Sequence, residues 1–121
     1  FQIPPFEQSK LITVIRGKIF DVVVDLRKDS EFYGKHMSFE ISAEETKQLY
    51  VSAGFAHGFC VLENNTEVMY KVDNFHSKEN NRAIVWNDPT LSIKWPVSQN
   101  ECIVSDKDES GSIFKDFVSP F

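Results

Sequence analysis

Apolar and polar positions alternate along most of this chain, and turn-forming residues interrupt the alternation every few positions. A period of two puts successive side chains on opposite faces of a strand. Lys10 to Ile15 is a β-branched-rich run, Arg16-Gly17-Lys18 is a tight turn, and Ile19 to Leu26 is a second run. Together they predict a β-hairpin. In the second run Phe20, Val22, Val24 and Leu26 share one face, and Ile19, Asp21, Val23 and Asp25 share the other. Two carboxylates on one strand face fit acid/base chemistry or a metal. With no histidine beside them, a solvated or subunit-contacting face is the stronger reading.

Met37, Phe39 and Ile41 alternate with Ser38 and Glu40, as in a half-buried antiparallel strand. Ser42-Ala43-Glu44-Glu45 starts no more than a helical turn, and Gln48 to Val51 resumes as strand. Gly58 to Leu62 and Thr66 to Val72 flank Asn64-Asn65, a hairpin signal. Ile84 to Trp86 is a short strand before Asn87-Asp88-Pro89. Leu91, Ile93 and Trp95 alternate up to Pro96. The segment from Ser98 is polar, and Ile113 to Phe117 is the last apolar stretch. Many short strands, no repeats and no long helix predict one all-β domain over residues 1–121. A jelly-roll β-sandwich with a ligand cavity between its sheets fits best.

Eleven Phe, three Tyr and two Trp among 121 residues supply a core. A net charge of −5 argues against nucleic-acid binding and a basic membrane-surface role. No apolar run reaches the ~20 residues of a membrane helix, and no signal peptide is visible. Cys60 and Cys102 form no metal-type spacing, so a reduced, cytoplasmic protein is expected. The chain opens at Phe1-Gln2 without an initiator Met and reads as part of a longer product.

The stretch richest in chemistry is Tyr50-Val51-Ser52-Ala53-Gly54-Phe55-Ala56-His57-Gly58-Phe59. On a strand, Phe55, His57 and Phe59 point to one face. Such a histidine is a ligand-facing group or a core residue held by a backbone carbonyl.

The order of segments is itself informative. Gln8-Ser9-Lys10 precedes a strand. Then come Gly17 through Arg27, Gly54-Phe55-Ala56-His57-Gly58-Phe59, Tyr70-Lys71, Trp86-Asn87-Asp88-Pro89, Trp95-Pro96 and Ser105-Asp106-Lys107-Asp108. Over nearly its whole length the chain resembles the dTDP-4-dehydrorhamnose 3,5-epimerases, metal-free cupin-fold isomerases of nucleotide sugars. The resemblance implies epimerisation of a dTDP-4-keto-6-deoxy sugar at C3 and C5, without cofactor or metal. It also implies a homodimer paired partly through its N-terminal segment. Protons beside the ketone are acidic because the anion delocalises onto the carbonyl oxygen. The reaction needs a base on one ring face, an acid on the other and a donor at that oxygen.

The resemblance also implies the roles. Tyr70 matches the acid, Lys10 the donor to the enolate oxygen, and Asp108 the carboxylate that orients the base. His57, His76, Lys107 and Gln2 match substrate-binding positions. The family's base is a histidine in Arg-Gly-Leu-His, directly before the position of Phe1, and this chain does not include it. His57 matches a different family position. His76 stands where the family usually has Tyr, and Asn81 where it commonly has Glu. The alternatives are a C3- or C5-only epimerase or keto-isomerase of the same fold, or a non-catalytic sugar-nucleotide-binding cupin. A metal-dependent cupin fits poorly, because His36, His57 and His76 are scattered.

Overall fold

A computed structural model of the chain describes residues 1–98 and 100–121. Six strands form two antiparallel three-stranded sheets: β1 (Lys10–Arg16), β2 (Lys18–Asp25), β3 (His36–Ser42), β4 (Gln48–Val51), β5 (Phe55–Val61) and β6 (Glu67–Val72). One sheet has the order β4-β1-β6 and the other β3-β2-β5. A 3₁₀ turn, Ala43–Glu45, follows β3, with Ser42 Oγ accepting from Glu44 N at 3.1 Å. The only α-helix among the described residues is one turn, α1 (Asp106–Glu109). None of the described helices is long and apolar enough to cross a membrane.

Both predicted hairpins are absent. β1 and β2 do not pair, and neither do β5 and β6; each pair divides between the two sheets. The reason is burial. Ile12 and Val14 of β1 pack on Ile19 of β2 and Ile41 of β3, face to face across the sandwich. Pairing edge to edge would leave those faces uncovered. The two crossovers lock onto one another instead. Gly17 has φ +77°, and a Cβ there would lie 2.3 Å from Thr66 Oγ1. Arg16 Nε donates to Asn65 O at 2.7 Å, and Arg16 pairs with Glu67 at 2.7 Å.

β2 is buried on both faces, which corrects the expectation of a solvated carboxylate face. Ile19 and Asp21 are fully buried, and Val22, Val24 and Asp25 nearly so. The inner face meets the other sheet. The outer face packs under a strap formed by the C-terminal third, with Leu26, Leu91, Ile93 and Trp95 in that second core. The strap holds no strand among the described residues, although Ile84–Trp86 and Leu91–Trp95 alternate. Buried Asp88 accounts for this: its carboxylate accepts from the amides of Thr90 (2.8 Å), Leu91 (2.9 Å) and Phe114 (2.7 Å). Those amides are then no longer available to a strand ladder. The apolar side chains still face β2, and Trp95 Nε1 donates to Trp86 O at 2.7 Å. In β3, Ile41 is buried but Met37 is 61% exposed, so the half-buried pattern fails at one end.

Asp25 anchors the β2–β3 loop. Its carboxylate accepts from Arg27 N (2.9 Å), Nε (3.0 Å) and Nη2 (2.7 Å), and from Ser30 Oγ (2.7 Å). The Arg27 side-chain bonds are the main cause holding its pKa down to about 2, against burial, which pushes it up. The unfolded value is near 3.9. A depressed folded pKa stabilises fully above the unfolded value, and that stability is lost as pH falls through the folded one. Asp25→Asn is therefore expected to cost about 2 kcal/mol at neutral pH and to flatten the stability loss between about pH 4 and 2. Urea unfolding at stepped pH measures both effects.

Candidate active site

Residues directly opposite on antiparallel strands project to the same face. In one sheet Lys10 lies opposite Val51 and Val72, and Ile12 opposite Leu49 and Tyr70. Ile12 and Val51 belong to the inter-sheet core. Lys10 and Tyr70 therefore project from the inner face. In the other sheet Val23 lies opposite His57, and Asp21 opposite Phe59. That row also faces inward, because Ile19 and Val23 belong to the same core. The expectation that Phe55, His57 and Phe59 share a face holds.

The pair at the centre is one that local sequence did not reveal. His57 Nε2 lies 2.8 Å from Asp21 Oδ2, with side-chain exposures of 8% and 0%. With Asp21 as the carboxylate, Nε2 carries the hydrogen and donates it. Nδ1 is then the nitrogen that can exchange a proton elsewhere. Asp21 Oδ1 is buried and has no protein partner. The available signal was Asp21, a carboxylate in the middle of the apolar run of β2. The thirty-odd residues between it and His57 hid the partner, and only the β2–β5 register supplies it.

A second group of charges gathers where the chain starts. Phe1 is tied to the 80–82 segment: Arg82 N donates to Phe1 O at 2.8 Å, and Ile3 N to Asn80 O at 2.9 Å. The Phe1 nitrogen donates to Arg82 O at 3.1 Å and lies within electrostatic reach of Lys10, Lys107 and Asp108. Burial, then Lys107, pushes the Lys10 ammonium down, while Asp73 opposes them. With its amide oriented to satisfy both ends, Asn81 donates to Phe1 O at 3.0 Å and accepts from Lys107 Nζ at 2.9 Å. A carboxylate here would accept from Lys107 but could not donate to Phe1.

Lys107 and Asp108 sit on α1, whose cap Ser105 accepts from Asp108 N at 3.3 Å and donates to Asp108 Oδ2 at 2.7 Å. Both line a cavity of about 490 Å³ beneath the strap. Its floor includes Val22, Val24, Ala56 and Cys60, on the outer face of β2 and β5. The cavity wall also includes His57 and Phe59, so the His57–Asp21 pair borders the same cavity as Lys107 and Asp108. Phe1 lines the cavity while lying within reach of Lys10. The two remaining candidates diverge. Gln2 is 4% exposed, and its amide donates to Phe6 O (2.6 Å) and Phe75 O (3.0 Å) and accepts from Ser77 N (2.6 Å). These backbone bonds occupy Gln2 as a loop clamp. His76 is exposed on the loop after β6. Among the described residues, no three His, Cys, Asp or Glu side chains converge as a metal site would require.

The fold is a two-sheet β-sandwich whose inner faces carry Lys10 and Tyr70 on one sheet and the buried His57–Asp21 pair on the other. The family pattern described as dTDP-4-dehydrorhamnose 3,5-epimerase matches residues 1–116. The dTDP-4-dehydrorhamnose 3,5-epimerase of Shigella flexneri is 47% identical over 116 residues, covering 96% of this chain and 63% of that protein. The crystal structure of the Elizabethkingia anophelis enzyme of that name superposes with TM-score 0.92 at 43% identity, covering 95% of this chain and 63% of that one. The Bacillus anthracis structure, with TDP and PPi bound, gives 0.90 at 47% identity, covering 93% and 63%. The chain therefore belongs to the dTDP-4-dehydrorhamnose 3,5-epimerase family and has its cupin-type jelly-roll fold. It spans a little under two thirds of the length of these relatives.

Proposed function

We propose that the protein of which residues 1–121 form one jelly-roll domain epimerises a dTDP-4-keto-6-deoxy sugar at C3 and C5. The observation that carries this reading is the strand register within each sheet. It puts Lys10 and Tyr70 on the inner face of one sheet and the His57–Asp21 pair on the inner face of the other. A sugar ring between the walls meets proton-transfer groups on both faces, as epimerisation needs.

In this reading the base is the histidine expected just upstream of Phe1, oriented by Asp108. It takes the proton from C5, and then from C3. Charge collects on the C4 oxygen, where Lys10 stabilises it. Tyr70, 57% exposed on the inner face, returns a proton from the opposite side. His57, held by Asp21, lines the pocket. Lys107 and His76 bind the nucleotide part of the substrate, and Gln2 positions the loop beside it. The TDP held by the Bacillus anthracis relative supports a thymidine nucleotide.

We further propose a cytoplasmic homodimer that works without cofactor or metal. The free thiols of Cys60 and Cys102 fit a reducing compartment. Tyr50, 63% exposed on the outer face of the edge strand β4, fits burial against a second subunit.

Tyr70→Phe, in a chain that also carries the upstream histidine, is expected to lower turnover by about 10²–10⁴-fold. Exchange of ring protons with heavy water should persist, because abstraction survives when reprotonation fails. Unchanged turnover would remove Tyr70 from the mechanism.

A further inference from the structure

The chain has two cysteines, distant in sequence, that face one cavity. Cys60 lies on the outer face of β5, opposite Phe20 of β2. Cys102 lies on the strap, before α1. Both are free, partly buried and in the wall of the 490 Å³ cavity. They are close enough for Cys102 to add to the rise that burial gives the Cys60 thiol. The two supports differ in rigidity. β5 is laddered to β2 along its whole length. Among the described residues around Cys102 the backbone bonds are of the turn type, such as Cys102 N to Ser98 O at 3.2 Å, and Ile103 is fully exposed. A disulfide needs Cα atoms about 4.4–6.8 Å apart, so closing one here requires the strap to bring Cys102 to that distance from β5.

We propose that Cys60 and Cys102 are an oxidant-responsive modification site that closes into a disulfide tying the strap to β5. The oxidant is a peroxide. One thiolate attacks its O–O bond, giving a sulfenic acid and releasing water. The second thiol attacks the sulfenic sulfur, the S–S bond forms and a second water leaves. Two electrons pass from the sulfurs to the peroxide. His57 is on the same strand as Cys60, and Asp108 is on the same strap as Cys102. Under the epimerase reading, closure would therefore fix Asp108 against the sheet that carries the His57–Asp21 pair.

The test is made on the full-length protein without substrate, so it stands or falls apart from that reading. The protein is treated with hydrogen peroxide, alkylated, digested and mapped under non-reducing conditions. The expected result is a Cys60–Cys102 linked peptide from chains that run as monomers on a non-reducing gel. The link should vanish in Cys102→Ser and on adding dithiothreitol. Amide hydrogen exchange over residues 100–109 should slow several-fold in the oxidised protein. Any of four results would overturn the proposal: full alkylation of both thiols, separate sulfinic acids, links only between chains, or a link with unchanged exchange. The melting temperature of reduced Cys102→Ser, expected to match the parent, confirms that the variant is folded.

Discussion

Under the proposed epimerase reading, residues 1–121 alone are expected to turn over dTDP-4-keto-6-deoxyglucose about 10²–10⁴-fold more slowly than a chain given an upstream Arg-Gly-Leu-His. The argument rests on what surrounds Phe1. Its nitrogen donates to Arg82 O at 3.1 Å and lies within electrostatic reach of Lys10, Lys107 and Asp108. Its carbonyl is held by Arg82 N at 2.8 Å, so the direction in which the preceding residue leaves is set by the 80–82 segment. A histidine placed there would meet a carboxylate able to fix its tautomer and favour its protonated form. In this reading Asp108 orients the base and does not replace it; its Oδ2 already accepts from Ser105 Oγ at 2.7 Å. The measurement is product formation with a coupled reductase, both chains side by side. Equal rates would place the base within residues 1–121, with His57 the first candidate, and would overturn the roles given above.

Asp21→Ala is expected to destabilise the chain by about 3 kcal/mol, since removing one partner of a buried pair strands the other. Asp21 is fully buried and is the partner of a His57 side chain that is only 8% exposed. The alanine leaves a buried ring N–H with no acceptor, and a void where the carboxylate stood. Asp21→Asn keeps an oxygen in place and should cost less than half as much. Urea unfolding of the three proteins at neutral pH reads the difference. A loss below about 0.5 kcal/mol for Asp21→Ala, the range of an ordinary surface change, would mean that the pair does not anchor the inner face.

Of the five residues expected to share the proton chemistry or flank it, His57, Lys107 and Asp108 line one cavity, and Lys10 and Tyr70 project from the inner face of the other sheet. Phe1 links the two groups through its hydrogen bonds to residues 81 and 82. Asn81 matters here because it is neutral. It joins Phe1 to Lys107 while leaving the lysine's charge uncancelled, and that charge adds to the downward push on Lys10.

Strand existence was legible from the sequence, because the period-two alternation in β1 to β6 is local and burial of one face enforces it. Six of the predicted extended runs are strands, and the short turn after Ser42 is present. The ordered motifs from Lys10 to Asp108 identified the family, since they depend only on residue type and separation. The pairing of those strands was decided by tertiary structure. Arg16-Gly17-Lys18 and Asn64-Asn65 have hairpin chemistry, but burying Ile12 and Val14 against Ile19 and Ile41 sends each pair of strands to opposite sheets. The strap likewise alternates like a strand, yet Asp88 takes the amides a ladder would need. The His57–Asp21 pair was out of reach for the same reason: a contact across the β2–β5 register depends on which strands become neighbours, and no local pattern records that.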